Sequence, residues 1–303
     1  NLIGCNINWV LEPAANCFRT GNHLGVQPHG FKDSIDFAVD ELEEITGIRV
    51  EAPINKKGAE ILLLHNAGEF MAWPENTEAF AIIFDAAGID WTISSETVGY
   101  DAVNYGVWYD DIQLSRIAVR QAEIARDLGV KKINVGECGH AHKAMIVISD
   151  RVLTGDLNIP RESALPILHE IVMKGSIKLD PSRNNFPVTL HDPCNMVRLM
   201  GIVEPQREIL RKICPQFSEM EPHGAENFCC GGGGGMLSMS EYGERRVASG
   251  RLKAEQIRAT GAKIVATPCH NCADQLLEIN KHYRLGVEIQ AVVELVYSAL
   301  VWN

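Results

Sequence analysis

Nine cysteines occur in the 303 residues, at positions 5, 17, 138, 194, 214, 229, 230, 269 and 272. Five of them are ordered. Cys194 is followed after 34 residues by the adjacent pair Cys229 and Cys230, and after 38 more by Cys269-x-x-Cys272. The pair opens the stretch "ENFCCGGGGGMLS", in which Gly231–Gly235 follow directly. Three chemistries use thiols so grouped. A single zinc ion takes four tetrahedral ligands, and two adjacent side chains diverge too far to hold one small ion together. A metal-free dithiol would need a vicinal disulfide, whose geometry is strained. An iron–sulfur cluster spreads its irons over several ångströms, so diverging thiolates reach different ones. Five cysteines with two adjacent favour the cluster over the other two.

The glycines fit the same choice. Without Cβ, Gly231 and Gly232 let the backbone come close to a bulky inorganic group, and their N–H groups can donate to its sulfides. A phosphate loop of the Walker type would need Lys-Ser/Thr after the glycines, and here Met236 and Leu237 follow. Ser238 and Glu241 read as a capping box that starts a long helix ending at Gly261, whose positive end would face the thiols.

The elements that must hold these residues alternate between strand and helix. "EILLLHN" (60–66), "IDWTIS" (89–94), "VKKINVGEC" (130–138), "FPVTLHDPC" (186–194) and "AKIVATPC" (262–269) read as strands, the last of these being the last clear one. Between them "TEAFAIIFDAAG", "YDDIQLSRIAVRQAEIARDLG", "VEPQREILRKI" and "CADQLLEINKHYR" read as helices, two of them ending at glycine. The expected fold is therefore α/β, two pseudo-repeated βαβ units with mostly parallel sheets and the site at the C-terminal ends of the strands. Cys194 and Cys269 each end such a strand, and each follows a proline that stiffens the loop. "EILLLHNAG" matches "PVTLHDPC", with His65 opposite His191, and "VKKINVGECGHA" matches "AKIVATPCHNC". An internal duplication is expected, with residues 1–55 as an N-terminal segment, 56–150 as a degenerate copy and 151–303 as the cluster-binding copy.

Apolar residues make up 46% and charged residues 22%, the profile of a globular protein. A net charge of −11 argues against nucleic acid as a partner. No apolar run is long enough to span a bilayer, and no signal peptide is read at the start. An odd number of cysteines without such a signal points to a reducing cytoplasm.

The string "HDPC…NFCCGGGG…TPCHNC" resembles the cysteine-rich CCG motif of heterodisulfide-reductase-like proteins of the B/D type. "VNYGVWYDD" and "GECGHAHKA" most resemble the DsrK proteins, catalytic components of the DsrMKJOP complex. The resemblance implies a noncubane [4Fe–4S] cluster with Cys194, Cys229, Cys230, Cys269 and Cys272 as ligands. It implies an oxidoreductase that cleaves or forms an S–S bond, with the trisulfide of DsrC, a sulfur-carrier protein, as substrate in dissimilatory sulfur metabolism. It also implies a haem- and quinone-linked membrane protein and a ferredoxin-type module as partners, and a place on the cytoplasmic face of the membrane. DsrK proteins carry C-x-x-C-x-x-C runs that are not found here, so that module is expected to be separate or trimmed. Ala141 stands where the second copy has Cys272, and the first copy has no CC pair, so a second cluster is not expected.

Cleaving an S–S bond needs a proton for the leaving sulfur. His191, His270, His223, His140 and His142 are candidates, the first two within three residues of a ligand cysteine; each could equally be a hydrogen-bonding neighbour. Cys138 ends a strand on the same expected edge and is a candidate for the substrate pocket or a remnant of the duplication. Cys214 is expected in the core, and Tyr105, Trp108 and Tyr109 near the site. Two other functions stay open: an iron–sulfur electron-transfer component of a glycolate- or lactate-oxidising complex, and a zinc-stabilised binding module.

Overall fold

The computed structural model describes residues 8–65, 73–96, 110–148, 151–233 and 235–302. Cys5, Tyr105, Trp108, Tyr109 and Gly234 lie outside them. The chain divides into two compact units: Asn1–Gly136 with His140–Ala164, and Glu137–Gly139 with Leu165–Asn303.

The first unit opens with helices α1 (Asn8–Thr20) and α2 (Pro28–Thr46), then β1 (Ile61–Leu64), α3 (Pro74–Ala86), β2 (Trp91–Thr92), α4 (Asp111–Leu128), β3 (Lys132–Val135) and β4 (Arg161–Ser163). All strands are parallel, in the order β2-β1-β3-β4. The four residues of β1 are all buried, as expected of a central parallel strand covered on both faces. Helix α3 seals the unit with Phe80 and Phe84, whose rings stack edge to face with each other and on to Trp91. Each such fully buried side chain contributes about 1.5–3 kcal/mol. Helix α4 starts where the Asp110 carboxylate accepts the N–H groups of Ile112 and Gln113, at 2.7 and 3.1 Å. It stops at Gly129, whose φ of +71° ends the helix in the left-handed conformation at no steric cost.

The second unit contains α5 (Ala164–Lys174), β5 (Val188–Leu190), α6 (Glu204–Ile213), β6 (Phe217–Ser218), α7 (Gly243–Ser249), α8 (Arg251–Thr260), β7 (Ile264–Ala266), α9 (His270–Tyr283), β8 (Glu288–Gln290) and α10 (Val292–Ala299). Its strands are also all parallel, in the order β6-β5-β7-β8. Each sheet thus places its second strand, first, third and fourth in the same succession. The registers agree as well: Leu64 pairs with Val135 in one sheet, and Leu190 with Ala266 in the other. His65 and His191 therefore leave equivalent central strands.

Two expectations are corrected. The strand at 262–269 is not the last, because β8 follows as an edge strand of three residues with one buried. The long helix expected from Ser238 to Gly261 is broken. Residues Met236–Ser238 and Ser240–Tyr242 form 3-10 turns, α7 starts only at Gly243, and a break at Gly250 separates α7 from α8. No capped helix therefore starts at Ser238. The break has a local cause: a Cβ on Gly250 would strike Ile279 Cδ1 and lie 3.2 Å from the Cys230 carbonyl oxygen.

Candidate metal centre

The site is built at the carboxyl ends of β5 and β7, the sheet edge where parallel folds bind ligands. Beyond β5 the chain runs through His191, Asp192 and Pro193 to Cys194; beyond β7 it runs through Thr267 and Pro268 to Cys269. The His191 N–H donates to the Ala266 carbonyl at 2.9 Å, so the two exits stay side by side. Cys269 is the N-cap of α9, in extended conformation, and Cys272 sits buried in the first turn of that helix.

Five sulfurs meet here in an unbroken series. Cys230 donates to Cys272, while Cys194 and Cys229, Cys229 and Cys230, and Cys272 and Cys269 act on one another's thiols. The Cys230 and Cys272 sulfurs are 3.5 Å apart, well beyond the roughly 2.05 Å of a disulfide. The series runs from outside to inside: Cys229 is exposed, Cys194 half-buried, and Cys230, Cys269 and Cys272 buried. The adjacent pair does diverge, with Cys229 reaching Cys194 and Cys230 reaching Cys272. The Cys229 thiol is pushed down, first by the hydrogen bond from Cys194, then by that from Cys230, with the Gly231 N–H adding at 3.3 Å. Cys194 is pushed up, first by its bond to Cys229, and Cys272 first by its bond to Cys230. Five thiolates in contact need a compact polycation among them, and thiolate is the form that binds metal. The donor set therefore fits an iron–sulfur cluster. His191, Cys230 and Cys272 also place their ligand atoms within 4.8 Å of one another. A single ion could use those three, but not all five sulfurs.

His191 is fully buried, and neither ring nitrogen has a hydrogen-bond partner. Burial pushes its pKa down to about 3, and the nearby charge of Lys253 adds to that. The imidazole is neutral and presents its polar atoms to the sulfur site.

The loop carrying the cysteine pair is held by protein, and here the role expected of the glycines changes. A Cβ on Gly232 would lie 2.7 Å from Gln275 Cβ, and one on Gly231, where φ is +88°, would lie 2.6 Å from Ser249 Oγ. The glycines allow the loop to press onto α9 and α7, rather than only onto an inorganic group. Gln275 then donates to the Cys230 carbonyl at 3.0 Å. Arg246 holds Gln275 Oε1 and reaches both carboxylate oxygens of Glu278, at 2.9 and 2.7 Å.

The other wall is anchored by a buried ion pair. Arg207 on α6 forks onto both oxygens of Asp192, and its Nη1 also reaches the Val203 carbonyl at 2.7 Å. Gly224 N–H donates to Asp192 at 2.6 Å. A bidentate pair of this kind fixes orientation as well as distance, and Asp192 lies between His191 and Cys194.

Glu137–Gly139 completes the unit. The Glu137 carboxylate accepts the first two N–H groups of α10, Val292 and Val293, each at 3.1 Å, which also complements the helix dipole. Its carbonyl accepts the His270 N–H at 2.9 Å. Gly139 N–H donates to Cys269 Sγ at 3.2 Å, and Asn271 Nδ2 lies 3.6 Å from Cys138 Sγ. Cys138 is thus buried next to the C-x-x-C helix start.

Other candidates fall elsewhere. The His270 ring reaches along its own helix to Asp274, at 3.4 Å. His223 is exposed and lies 3.3 Å from Glu221. His140 and His142 belong to the first unit. Cys214 follows α6 as its C-cap, and burial pushes its thiol up to about 12, as suits a core position. Cys17 lines a cavity of the first unit with Gln113, Arg116 and Arg120. Sequence reasoning passed over Asp192, Arg207, Gln275, Arg246, Glu137 and Lys253. One signal was present: Lys253 and Ile257 are four residues apart, so a charged residue shares the apolar stripe of α8.

Residues 188–277 match the family model described as the cysteine-rich domain CCG. The chain is 26% identical to the Hdr-like menaquinol oxidoreductase iron-sulfur subunit 2 of Archaeoglobus fulgidus, over 99% of this chain and 61% of that protein. It is 28% identical to the Hdr-like menaquinol oxidoreductase iron-sulfur subunit of Archaeoglobus profundus, with the same coverage. It is 26% identical to one subunit of the dihydromethanophenazine:CoB–CoM heterodisulfide reductase of Methanosarcina acetivorans, over 72% of this chain and 53% of that protein. The chain spans about three fifths of the length of the first two relatives. The chain is thus similar over nearly its whole length to Hdr-like iron–sulfur subunits, and residues 188–277 match the CCG domain.

Proposed function

We propose that this chain is the disulfide-handling iron–sulfur subunit of a quinone-linked oxidoreductase. Its noncubane [4Fe–4S] cluster would be held by Cys194, Cys229, Cys230, Cys269 and Cys272. The observation that carries the proposal is the continuous series of five sulfurs, one end exposed at Cys229 and the other buried at Cys272.

The reaction takes one S–S bond, two electrons and two protons to two S–H groups, two thiols from a disulfide or a thiol and a persulfide from a trisulfide, or runs in reverse. When bound, such a cluster supplies electrons singly and offers iron with an affinity for sulfur. The chain's own residues do the rest. Cys229 and the half-buried Cys194 face the side from which a sulfur substrate can arrive. The Arg207–Asp192 pair and the Gln275–Cys230 bond fix the two loops so that the sulfurs do not reorganise. The buried wall of His191, Cys230, Cys269 and Cys272 keeps water from the inner side. His191 holds an N–H and a lone pair inside the site, and His270 and Cys138 stand beside the C-x-x-C start; these three are the groups assigned to proton handling and pocket lining.

Two relatives are named as menaquinol oxidoreductase subunits and one as a heterodisulfide reductase subunit. They support a quinol as the distant electron donor; a haem-containing membrane protein and a ferredoxin-type module as the route rest on the sequence resemblance to DsrK proteins. No helix among the described residues is long and apolar enough to cross a membrane; attachment to the cytoplasmic face through those partners is part of the proposal and rests on the sequence resemblance. Among substrates we assign the trisulfide of a DsrC-type sulfur carrier, as in DsrK proteins, on the sequence resemblance.

The test is EPR of the oxidised, anaerobically prepared protein, alone and after addition of reduced DsrC-type carrier or of coenzyme M with coenzyme B. A signal that changes with one thiol and not the other supports sulfur binding at the site and identifies the substrate class. A cluster signal indifferent to every thiol contradicts the proposal. Cys229→Ala should abolish the thiol response.

A further inference from the structure

Helix α8 carries Lys253, which is 1% exposed, among the most deeply buried large side chains of the protein. A lysine so placed is costly unless an opposite charge compensates it. Its Nζ rests 3.6 Å from Met220 Sδ, a weak acceptor that neutralises nothing. Burial disfavours its charge, and of the charges that favour it Cys230 comes first and Asp192 second; that carboxylate is already taken by Arg207 and the Gly224 N–H. The other groups on which the ammonium acts are sulfurs, Cys230 first, then Cys272 and Cys229. It also acts on the His191 ring, where it disfavours a second positive charge.

We infer that Lys253 is the resident counter-charge of the sulfur site, a buried ammonium that offsets the thiolates and the anionic group they hold and so raises that group's reduction potential. The inference rests on the iron–sulfur assignment proposed above. Reduction adds one negative charge to the site. A fixed positive charge in a low-dielectric interior favours that added electron far more than a surface lysine would. Helix α8 starts after Gly250, where an added Cβ would lie 3.2 Å from the Cys230 carbonyl oxygen, so the buried cation in its first turn sets where on the potential scale the site accepts electrons. Arg207, another deeply buried cation of this unit, is neutralised by Asp192. Lys253 is a positioning and tuning residue, since it reaches no reacting atom itself.

The experiment is an EPR-monitored redox titration of the anaerobically purified chain and of Lys253→Met and Lys253→Arg, with iron and acid-labile sulfide measured on each. Lys253→Met should hold its cluster, with the reduced-to-oxidised ratio at a fixed potential falling about tenfold, equivalent to about 59 mV more negative for a one-electron couple. Lys253→Arg, which keeps the charge, should titrate close to the wild type. An iron-loaded Lys253→Met that titrates with the wild type overturns the inference and leaves the cluster assignment standing. An arginine variant displaced as far as the methionine variant overturns it too, because packing rather than charge is then responsible. If Lys253→Met and Lys253→Gln both fail to keep iron while Lys253→Arg keeps it, the charge requirement is upheld; if the arginine variant also loses it, the inference falls. A wild-type chain without iron and sulfide overturns both the assignment and the inference.

Discussion

The two sheets have the same strand order and part company at the edge where the strands end. After β1 comes His65, a buried ring packed edge to face on Phe80 at 5.1 Å. After β5 comes His191, also buried, but facing thiols with both nitrogens unpartnered. After β7 come Cys269 and Cys272; after β3 come Cys138 and, at the position of the last cysteine, Ala141. One fold thus offers the same edge twice, and only one copy has the donors. Topology supplies the place, and side-chain content decides whether it does chemistry. The stretch after β3 is not idle, since Glu137–Gly139 packs with the second unit and gives a backbone N–H to Cys269.

The largest expected effect separates the two edges outright. Cys272→Ser and Cys230→Ser should each lose most of the iron measured per chain, whereas Cys138→Ser should keep most of it. Ala141→Cys should not recruit a second cluster, because the first copy has no vicinal pair. Loss of iron in Cys138→Ser to the same extent would erase the distinction.

Next comes the buried ion pair behind the second edge. Arg207→Met strands the Asp192 carboxylate in the interior and should cost about 3–5 kcal/mol in denaturant unfolding. Asp192→Asn combined with Arg207→Met should recover part of that loss, since no buried charge is then left alone. A loss below about 1 kcal/mol for the single change would show the pair to be as wet as a surface salt bridge.

Close glycines at both edges give a smaller, paired comparison. Gly232→Ala pushes against Gln275 Cβ at 2.7 Å, and Gly136→Ala against His65 Nδ1 at 2.7 Å. Each should destabilise by about 1–3 kcal/mol, the usual cost of overpacking. Only the first should also alter the EPR line shape, because only it displaces the loop that carries Cys230. Equal spectral effects would contradict the assignment of the metal centre to the second unit.

The smallest effect lies in the first unit alone. Burial, with the charges of Glu41 and Glu75 adding, raises Glu78 to about 7. Its folded pKa lies above the unfolded value, so its contribution is full below about 4.5 and is lost as pH rises through 7. Glu78→Gln carries no charge. Relative to the wild type it should therefore gain stability between about pH 5 and pH 8, as thermal melts at the two pH values would show. A difference independent of pH would mean that Glu78 is solvated.

The central strands were legible because parallel strands covered on both faces read as apolar runs, "ILLL" and "VTL" among them, with glycine-ended helices between. The edge strands β4, β6 and β8 were not, since two or three residues carry no period. The break at Gly250 was hidden for a different reason: "SMSEYGERRVASGRLKAEQIRATG" reads as continuously helical, and the neighbours that leave no room for a side chain at Gly250, Ile279 and the Cys230 carbonyl, are distant in sequence. In the site, the cysteine spacing singled out five residues that the fold does bring to one sheet edge. The supports did not show. Arg207, Gln275 and Lys253 sit on helices whose faces become interior only through tertiary packing, and a charged residue in an amphipathic helix reads as solvated by default. The glycines were recognised as places of close approach, and Ser249 and Gln275 are among the atoms that approach them.

The most direct measurement is the metal and acid-labile sulfide content of the anaerobically prepared chain. A noncubane cluster on five cysteines predicts about four iron and about four sulfide per chain, with little zinc. One zinc per chain without sulfide would contradict the account at its centre.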